Sequence, residues 1–288
     1  MKICALTMVY QDHWALSQWY RHHGALFGHN NLFVIAHGQD DEIMRICPDA
    51  SVITIPRDNL AWFDRRRTNM LNAFQAGLLQ SYDWVIRTDA DELICFDPNL
   101  YGSAKDAFLD NADQAALHAL GFDLVELVND LPSSDENVFA YRKNAAFSGH
   151  YSKGFAVSKP LGLVLHGVQV APRMLNKFPF TMPKGVYLAH LKYANLNAVS
   201  SANLIRESIA SSETNGVPGD LWRNAYAETE RFLKGTREKK LVSWKLADEA
   251  AYSALAHDPV RIEKRSVIKA RSLKFHTRTQ LPDWFSVQ

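Results

Sequence analysis

Asp89-Ala90-Asp91-Glu92 is the stretch of this chain whose residue types and spacing can do chemistry. In extended chain, residues two apart point to the same side, so Asp89 and Asp91 can converge on one hard cation, directly or through water. Mg²⁺ and Mn²⁺ take oxygen ligands at about 2.1 Å and commonly bridge a few carboxylates to substrate phosphates. Such a metal would neutralise the charge that builds on a leaving diphosphate. Ala90 is small enough for the backbone to lie close to the ligand. A bare Asp-x-Asp also occurs in solvated turns. Here it follows the apolar run Trp84-Val-Ile-Arg-Thr88 and precedes a third acid, Glu92, and the apolar pair Leu93-Ile94, which is the context a functional motif needs.

Other candidates are scattered. Tyr10 can stack on a nucleobase and Asp12 can bond to its edge; a core aromatic and a helix cap are the competing readings. Asp58 is a nucleotide-pocket candidate only by its place after an apolar run. Arg65-Arg66-Arg67 opens a helical pattern, where cations oppose the helix dipole. Phosphate gripped by Arg66 or Arg67 would offset that cost; a solvated basic turn is the alternative. Lys153 lies between Gly149 and Gly154, in a loop able to close over phosphates. His166 reads as an acceptor or phosphate ligand, or as a buried structural residue. His190 can join carboxylates around Mn²⁺ or be a core histidine. Lys192, two residues on, suits a diphosphate as a point charge and equally suits plain surface. A general base for an acceptor hydroxyl has four candidates: Asp123, Glu126, Asp130 and Glu136. Glu126 is preferred, with Asp123 beside it after Leu120-Gly121-Phe122.

Elements must position these groups. Lys2–Val9, Leu32–Ala36, Val52–Ile55 and Trp84–Thr88 read as buried strands, and Trp14–Phe27 and Arg65–Leu79 as intervening helices. Near-continuous apolar strands separated by helices predict a mostly parallel sheet covered on both faces. Ligands bind such sheets outside the carboxyl ends of the strands, where the acidic stretch falls. A short helix is expected over 100–108, strands over Ala115–Phe122 and Val138–Phe147 with a turn at Pro132-Ser133-Ser134 between them, then loops and short strands over Ser148–Lys192. Beyond Asn195 the pattern is helical: Asn203–Ser212, Leu221–Phe232 and Trp244–Leu255.

The segment from Asp64 to Pro98, with its helix and the strand ending in Asp-x-Asp-Glu, resembles family-2-like glycosyltransferases of the GT-A fold. His150-Tyr-Ser-Lys-Gly-Phe155 resembles a Tyr-Ser-Lys motif of the bacterial branch, and Leu188-Ala-His-Leu-Lys-Tyr-Ala194 a His-Leu-Lys motif that closes the catalytic region. The resemblance covers roughly residues 1–210. It implies a Rossmann-like α/β fold, a nucleotide-diphosphate sugar as donor, a divalent metal held by Asp89, Asp91 and His190, and inversion at the anomeric carbon. It also implies a glycan or lipid-linked acceptor, in the synthesis of a bacterial surface polysaccharide or glycolipid. The expected domains are a catalytic unit over 1–195 and a helical extension over 196–288. Two other readings stand: a nucleotidyl- or phosphotransferase using the same metal site, and a non-catalytic sugar-nucleotide-binding module. The first would want a Gly-rich phosphate loop near the first strand, which Met8-Val-Tyr-Gln-Asp12 lacks.

Composition is that of an ordinary globular chain: 288 residues, 47% hydrophobic, 22% charged. A net charge of +1 provides no field for nucleic acid. Three scattered cysteines fit neither zinc spacing nor a disulfide framework. With no signal-like or membrane-spanning run, a cytoplasmic protein is expected. Between Arg261 and Arg278 seven Lys/Arg face one acid among apolar residues. That segment reads either as an amphipathic anchor at an anionic membrane surface or as a solvated helix face.

Overall fold

The computed structural model describes residues 1–128, 130–131, 134, 136–211, 216 and 220–288. The apolar runs become strands and the 3.6-periodic runs the helices that cover them. The first third comprises β1 (Ile3–Val9), α1 (His13–Phe27), β2 (Leu32–His37), α2 (Asp41–Ile46), β3 (Ser51–Ile55), α3 (Phe63–Leu78), β4 (Trp84–Arg87) and β5 (Glu92–Phe96). The middle comprises α4 (Ala104–Leu109), β6 (Ala116–His118), β7 (Leu120–Val125), α5 (Val138–Tyr141), β8 (Asn144–Phe147), β9 (Gly154–Val157), β10 (Gly162–Val164), β11 (Gly167–Gln169) and β12 (Val186–Tyr193). The remainder is α6 (Leu196–Ala210), α7 (Asp220–Arg223), α8 (Ala225–Glu238), β13 (Lys240–Leu241), α9 (Trp244–Leu255), β14 (Val260–Ile262), β15 (Val267–Lys269) and β16 (Thr277–Gln280).

The α/β expectation, with a Rossmann-like run of strands and flanking helices, holds. The sheets are mixed rather than mostly parallel. One has the order β3-β2-β1-β4-β9-β6, of which the first four strands are parallel and β9 runs against both neighbours. A second has the order β13-β16-β8-β7-β12-β5, with β12 parallel to β7 and antiparallel to β5. A third, β10-β11-β15-β14, is antiparallel throughout. The reason is connection length. The chain passes from the first sheet to the second through Thr88–Asp91 and again through Ala119, and neither link can hold the helix a parallel crossover needs.

Several element expectations are corrected. The strand over 115–122 is two strands, β6 and β7, in different sheets. The strand over 138–147 begins as helix α5, because the Asn137 side chain caps the Phe139 amide. In the proposed turn, Pro132 and Ser133 lie outside the described residues, as does Ser212 at the end of an expected helix. Residues 196–288 supply helices α6 to α9 and also four strands that complete the second and third sheets. The basic segment Arg261–Arg278 is neither an amphipathic helix nor a solvated helix face. It runs through β14 and β15, buries Val267 and Ile268, and aims Arg261 at the carbonyls of Leu175 and Phe178. The core between the two large sheets gathers Trp19, Trp84, Phe108, Phe122, Tyr187 and Phe285. All three cysteines are buried and free. No helix among the described residues is long and apolar enough to cross a membrane.

Candidate active site

Strand β4 stops at Arg87, and the acidic residues lie in the turn that carries the chain from one sheet to the other. Thr88 pins the start of that turn by accepting a 2.8 Å hydrogen bond from the buried Trp19 indole. The Glu92 amide bonds the Asp89 carbonyl, the Glu92 carboxylate accepts from the Asp89 amide at 3.0 Å, and the Leu191 amide of β12 bonds the Asp91 carbonyl at 2.7 Å. The turn is therefore fixed at both ends. It places carboxylate oxygens of Asp89, Asp91 and Glu92 within 4.8 Å of one another.

Cations surround the triad. Arg67, one turn into α3, pairs with Asp89. The buried Lys153 ammonium lies 2.6 Å from Glu92 and 3.4 Å from Asp89. Burial alone would raise the Asp89 pKa, but Arg67 and Lys153 outweigh it and hold that carboxyl well below its usual range. Burial raises Glu92, against the pull of Lys153. On the other side His190 is registered between Glu92 of β5 and Asp123 of β7. Its Nδ1 lies 2.7 Å from Asp123 and its Nε2 lies 3.4 Å from Asp91. Burial works against the charged imidazole, yet the bonds to Asp123 and Asp91 carry its pKa up to about 9. Tyr151 stacks on the ring, 3.6 Å between centroids.

These groups open onto a cleft of about 710 Å³ at the ends of β1, β4 and β12. It lies where the strand order reverses between β1 and β4, the switch point at which open α/β sheets bind ligands. Tyr10, Phe63 and Trp222 line one part of the cleft, with the Arg57 guanidinium 3.4 Å over the Tyr10 ring. Helices α6 and α8 supply another wall, including Arg206 and Glu228. Two carboxylates of separate residues at a cleft wall, with an imidazole whose far nitrogen is bonded to a carboxylate, is a donor set that suits Mg²⁺ or Mn²⁺. Glu92 fits less well as a ligand, being only 1% exposed and held by Lys153.

Of the residues singled out from sequence, Tyr10, Asp12, Arg67, Asp89, Ala90, Asp91, His166, His190 and Lys192 line this cleft. Asp12 also caps α1 through the Ala15 amide, so both of its readings meet in one side chain. Burial and the nearby Asp91 charge push its pKa up to about 6. His166 bonds the His150 carbonyl through Nδ1 at 2.6 Å, and burial followed by Lys153 lowers its pKa to about 3. Lys153 is not on a free loop but locked beneath the acidic turn. Asp58 is exposed and outside the cleft, and its neighbour Arg57 lines it instead. Arg66 is exposed and bonds the Asn59 carbonyl. Glu126 is a structural acid: it pairs with buried Arg142 at 2.8 Å and accepts from the Leu196 amide at the start of α6. Asp123 is buried, with its carboxylate bonded to His190 Nδ1 rather than free on the cleft. Asp130 bonds the Leu127 amide and Asn144. The sequence reading missed Arg57, Tyr151, Arg206 and Trp222. Tyr151 stands inside the quoted Tyr-Ser-Lys segment; nothing in local pattern marks the other three.

No protein-family model and no curated protein matches this sequence. Among solved structures, mannose-1-phosphate geranyltransferase from Thermus thermophilus aligns with 99% of this chain and 77% of its own, at 13% identity and a TM-score of 0.31. CMP:2-keto-3-deoxy-manno-octonic acid synthetase complexed with CTP aligns with 81% and 86%, at 11% identity and a TM-score of 0.30. Likenesses this distant leave function to be argued from the cleft itself.

Proposed function

We propose that the chain is a metal-dependent glycosyltransferase that takes its sugar from a nucleoside-diphosphate donor. The observation that carries this is the fixed turn presenting Asp89 and Asp91 together on the cleft wall at the β1–β4 switch point. The resemblance of residues 64–98 to GT-A enzymes supports it. In this reading residues 1–195 form the catalytic unit and residues 196–288 pack on it, with α6 and α8 forming the outer wall.

Asp89 and Asp91 would hold the divalent ion, and His190 Nε2, oriented by Asp123, could serve as a third donor only in its neutral form, which Asp123 and Asp91 disfavour by raising its pKa to about 9. When bound, the ion stabilises the charge on the departing diphosphate. Arg67 and Lys153 set the charge around Asp89 so that the site stays near neutral before the ion enters. The aromatic end at Tyr10, Phe63 and Trp222 would receive the nucleobase, and Arg57 lies where it can bond a base carbonyl. Asp12, on the cleft and close enough to Asp91 to feel its charge, replaces Glu126 as the carboxylate best placed to take the acceptor proton. The acceptor is a glycan or lipid-linked sugar.

The test is turnover of nucleotide sugars with Mn²⁺, comparing the native chain with Asp91→Ala. Loss of at least about a hundredfold is expected; undiminished turnover in the variant would sink the proposal. The same carboxylate pair also favours a second reading, nucleotidyl transfer. The end of β1 weighs against it: Tyr10-Gln11-Asp12 has no glycine, and Gln11 itself occupies the left-handed region at φ 51°. Release of nucleoside diphosphate marks the first chemistry and release of pyrophosphate the second.

A further inference from the structure

Each carboxylate of the acidic turn already faces a basic side chain. Asp89 is paired with Arg67, Glu92 lies 2.6 Å from Lys153, and Asp91 lies 3.4 Å from His190 Nε2. Lys153 also reaches Asp89 at 3.4 Å, so both oxygens of that carboxylate have a positive partner. The neighbouring Asp123 is taken by His190 Nδ1 at 2.7 Å. A divalent ion that enters by itself therefore meets carboxylates whose charge is largely compensated. It must also share Asp89 with cations that repel it.

The three partners differ in how firmly they are held. The Lys153 side chain is 10% exposed and touches two carboxylates. The His190 side chain is 4% exposed, bonded to Asp123 and stacked on Tyr151. The Arg67 side chain is 26% exposed and lines the cleft. Among the described residues it makes a single hydrogen bond, from Nη2 to Asp89, the most exposed of the three carboxylates. Arg67–Asp89 is thus the ion pair of the turn that can open without unpacking the core. A guanidinium carries five N–H donors in a fork that matches phosphate oxygens, and Arg67 uses one of them on Asp89.

We propose that Arg67 is an exchangeable counter-ion of Asp89, opposing a divalent ion that arrives alone and turning to the diphosphate when one is bound. This rests on the metal and donor reading of the cleft given above. It makes Arg67 a residue that links two ligands: the positive charge that disfavours the metal in the absence of diphosphate is the charge that grips the diphosphate in its presence.

The experiment has two arms, both on the full chain. In the first, Mn²⁺ alone is titrated and followed by loss of the free-ion paramagnetic resonance signal. Arg67→Met and Arg67→Gln are expected to bind Mn²⁺ about tenfold tighter than the native chain, and Arg67→Lys to stay near native. In the second, UDP, GDP, CDP and ADP are titrated calorimetrically with saturating Mn²⁺. The nucleotide that binds the native chain is expected to bind the Met and Gln variants about tenfold more weakly, with part of the loss recovered in Arg67→Lys. Opposite signs for metal and diphosphate are what a merely structural arginine would not produce. Melting curves establish that each variant folds, and Arg67→Gln replaces Arg67→Met should the latter fail to. Mn²⁺ affinity that is unchanged or weaker in the neutral variants overturns the proposal, as does tighter Mn²⁺ binding with diphosphate affinity unaltered. Asp91→Ala keeps these results apart from failure of the underlying reading. If that variant retains Mn²⁺, or if no chain binds it, the metal reading fails and the proposal with it. If Mn²⁺ binds but none of the four nucleotides does, the donor reading fails and the exchange falls with it.

Discussion

Lys153 and Glu92 are each nearly sealed from solvent and lie 2.6 Å apart beneath the acidic turn. Removing one partner of a buried pair leaves the other charge uncompensated, at a cost of about 3–5 kcal/mol. Lys153→Met is therefore expected to be destabilised on that scale in urea unfolding. Adding Glu92→Gln to it should recover much of the loss, because no charge is then stranded. A single variant as stable as the parent would show that the pair does not hold the turn. Both residues were readable in the sequence, Glu92 as a third acid of the motif and Lys153 as a cation between glycines. Their contact was not, because it joins residues of different sheets. The same limit applies to Asp123. As an acid near the end of a strand it resembles a catalytic base, and only the β7–β12 register shows it bonded to His190.

At the scale of elements, the hairpin β10–β11 turns on Leu165 and His166 alone, and both have positive φ, 51° and 67°. Two-residue hairpin loops of this kind favour Asn and Gly. A leucine there carries steric strain of about 1–2 kcal/mol. Leu165 is 55% exposed, so packing does not compensate it. Leu165→Asn is expected to stabilise the chain by about 1 kcal/mol, read as a raised urea midpoint at unchanged slope; a lowered midpoint would mean that the leucine has a partner. The turn holds His166 at the cleft, a placement strained backbone often serves. A second device is Gly121, where a Cβ would come within 2.2 Å of the Tyr151 backbone. The missing side chain lets residues 148–152 cross β7 and brings Tyr151 onto His190. The glycine was visible in the sequence, but the segment that crosses it was not.

Across the whole molecule, acid should unfold the protein through histidines that the core keeps neutral. His22 donates to the Ile94 carbonyl between α1 and β5, and His118 lies against Thr181; burial lowers the pKa of both from 6.5 to about 4. Between those values the unfolded chain binds protons that the folded chain refuses, so stability rises with pH. Each histidine contributes about 3 kcal/mol that is fully present above pH 6.5, is lost as pH falls, and is gone below about 4. Urea midpoints should drop steeply from pH 6.5 to 5, before most carboxylates titrate. A flat midpoint over that interval would refute the assignment.

The sequence by itself determined where the early strands and helices lie, because apolar periodicity follows from local geometry, but not how deeply each is covered: Val52–Ile55, expected as a buried strand, is the sheet's edge strand β3 and none of its residues is buried. Thus β1, β2, β3 and α3 are where the pattern places them, and Asp89 and Asp91 emerge at the end of a buried strand. It also supplied most of the cleft's side chains, since charged residues set against apolar runs stand out. What the tertiary structure decided is which distant residues meet. Ala119 and the turn at Thr88–Asp91 move the chain from one sheet to another, and strand direction and register there depend on packing between sheets rather than on any local signal. That long-range pairing bonds Asp123 to His190, pairs Glu126 with Arg142, and brings Arg206 of a helix wall to the cleft that Lys192 also lines.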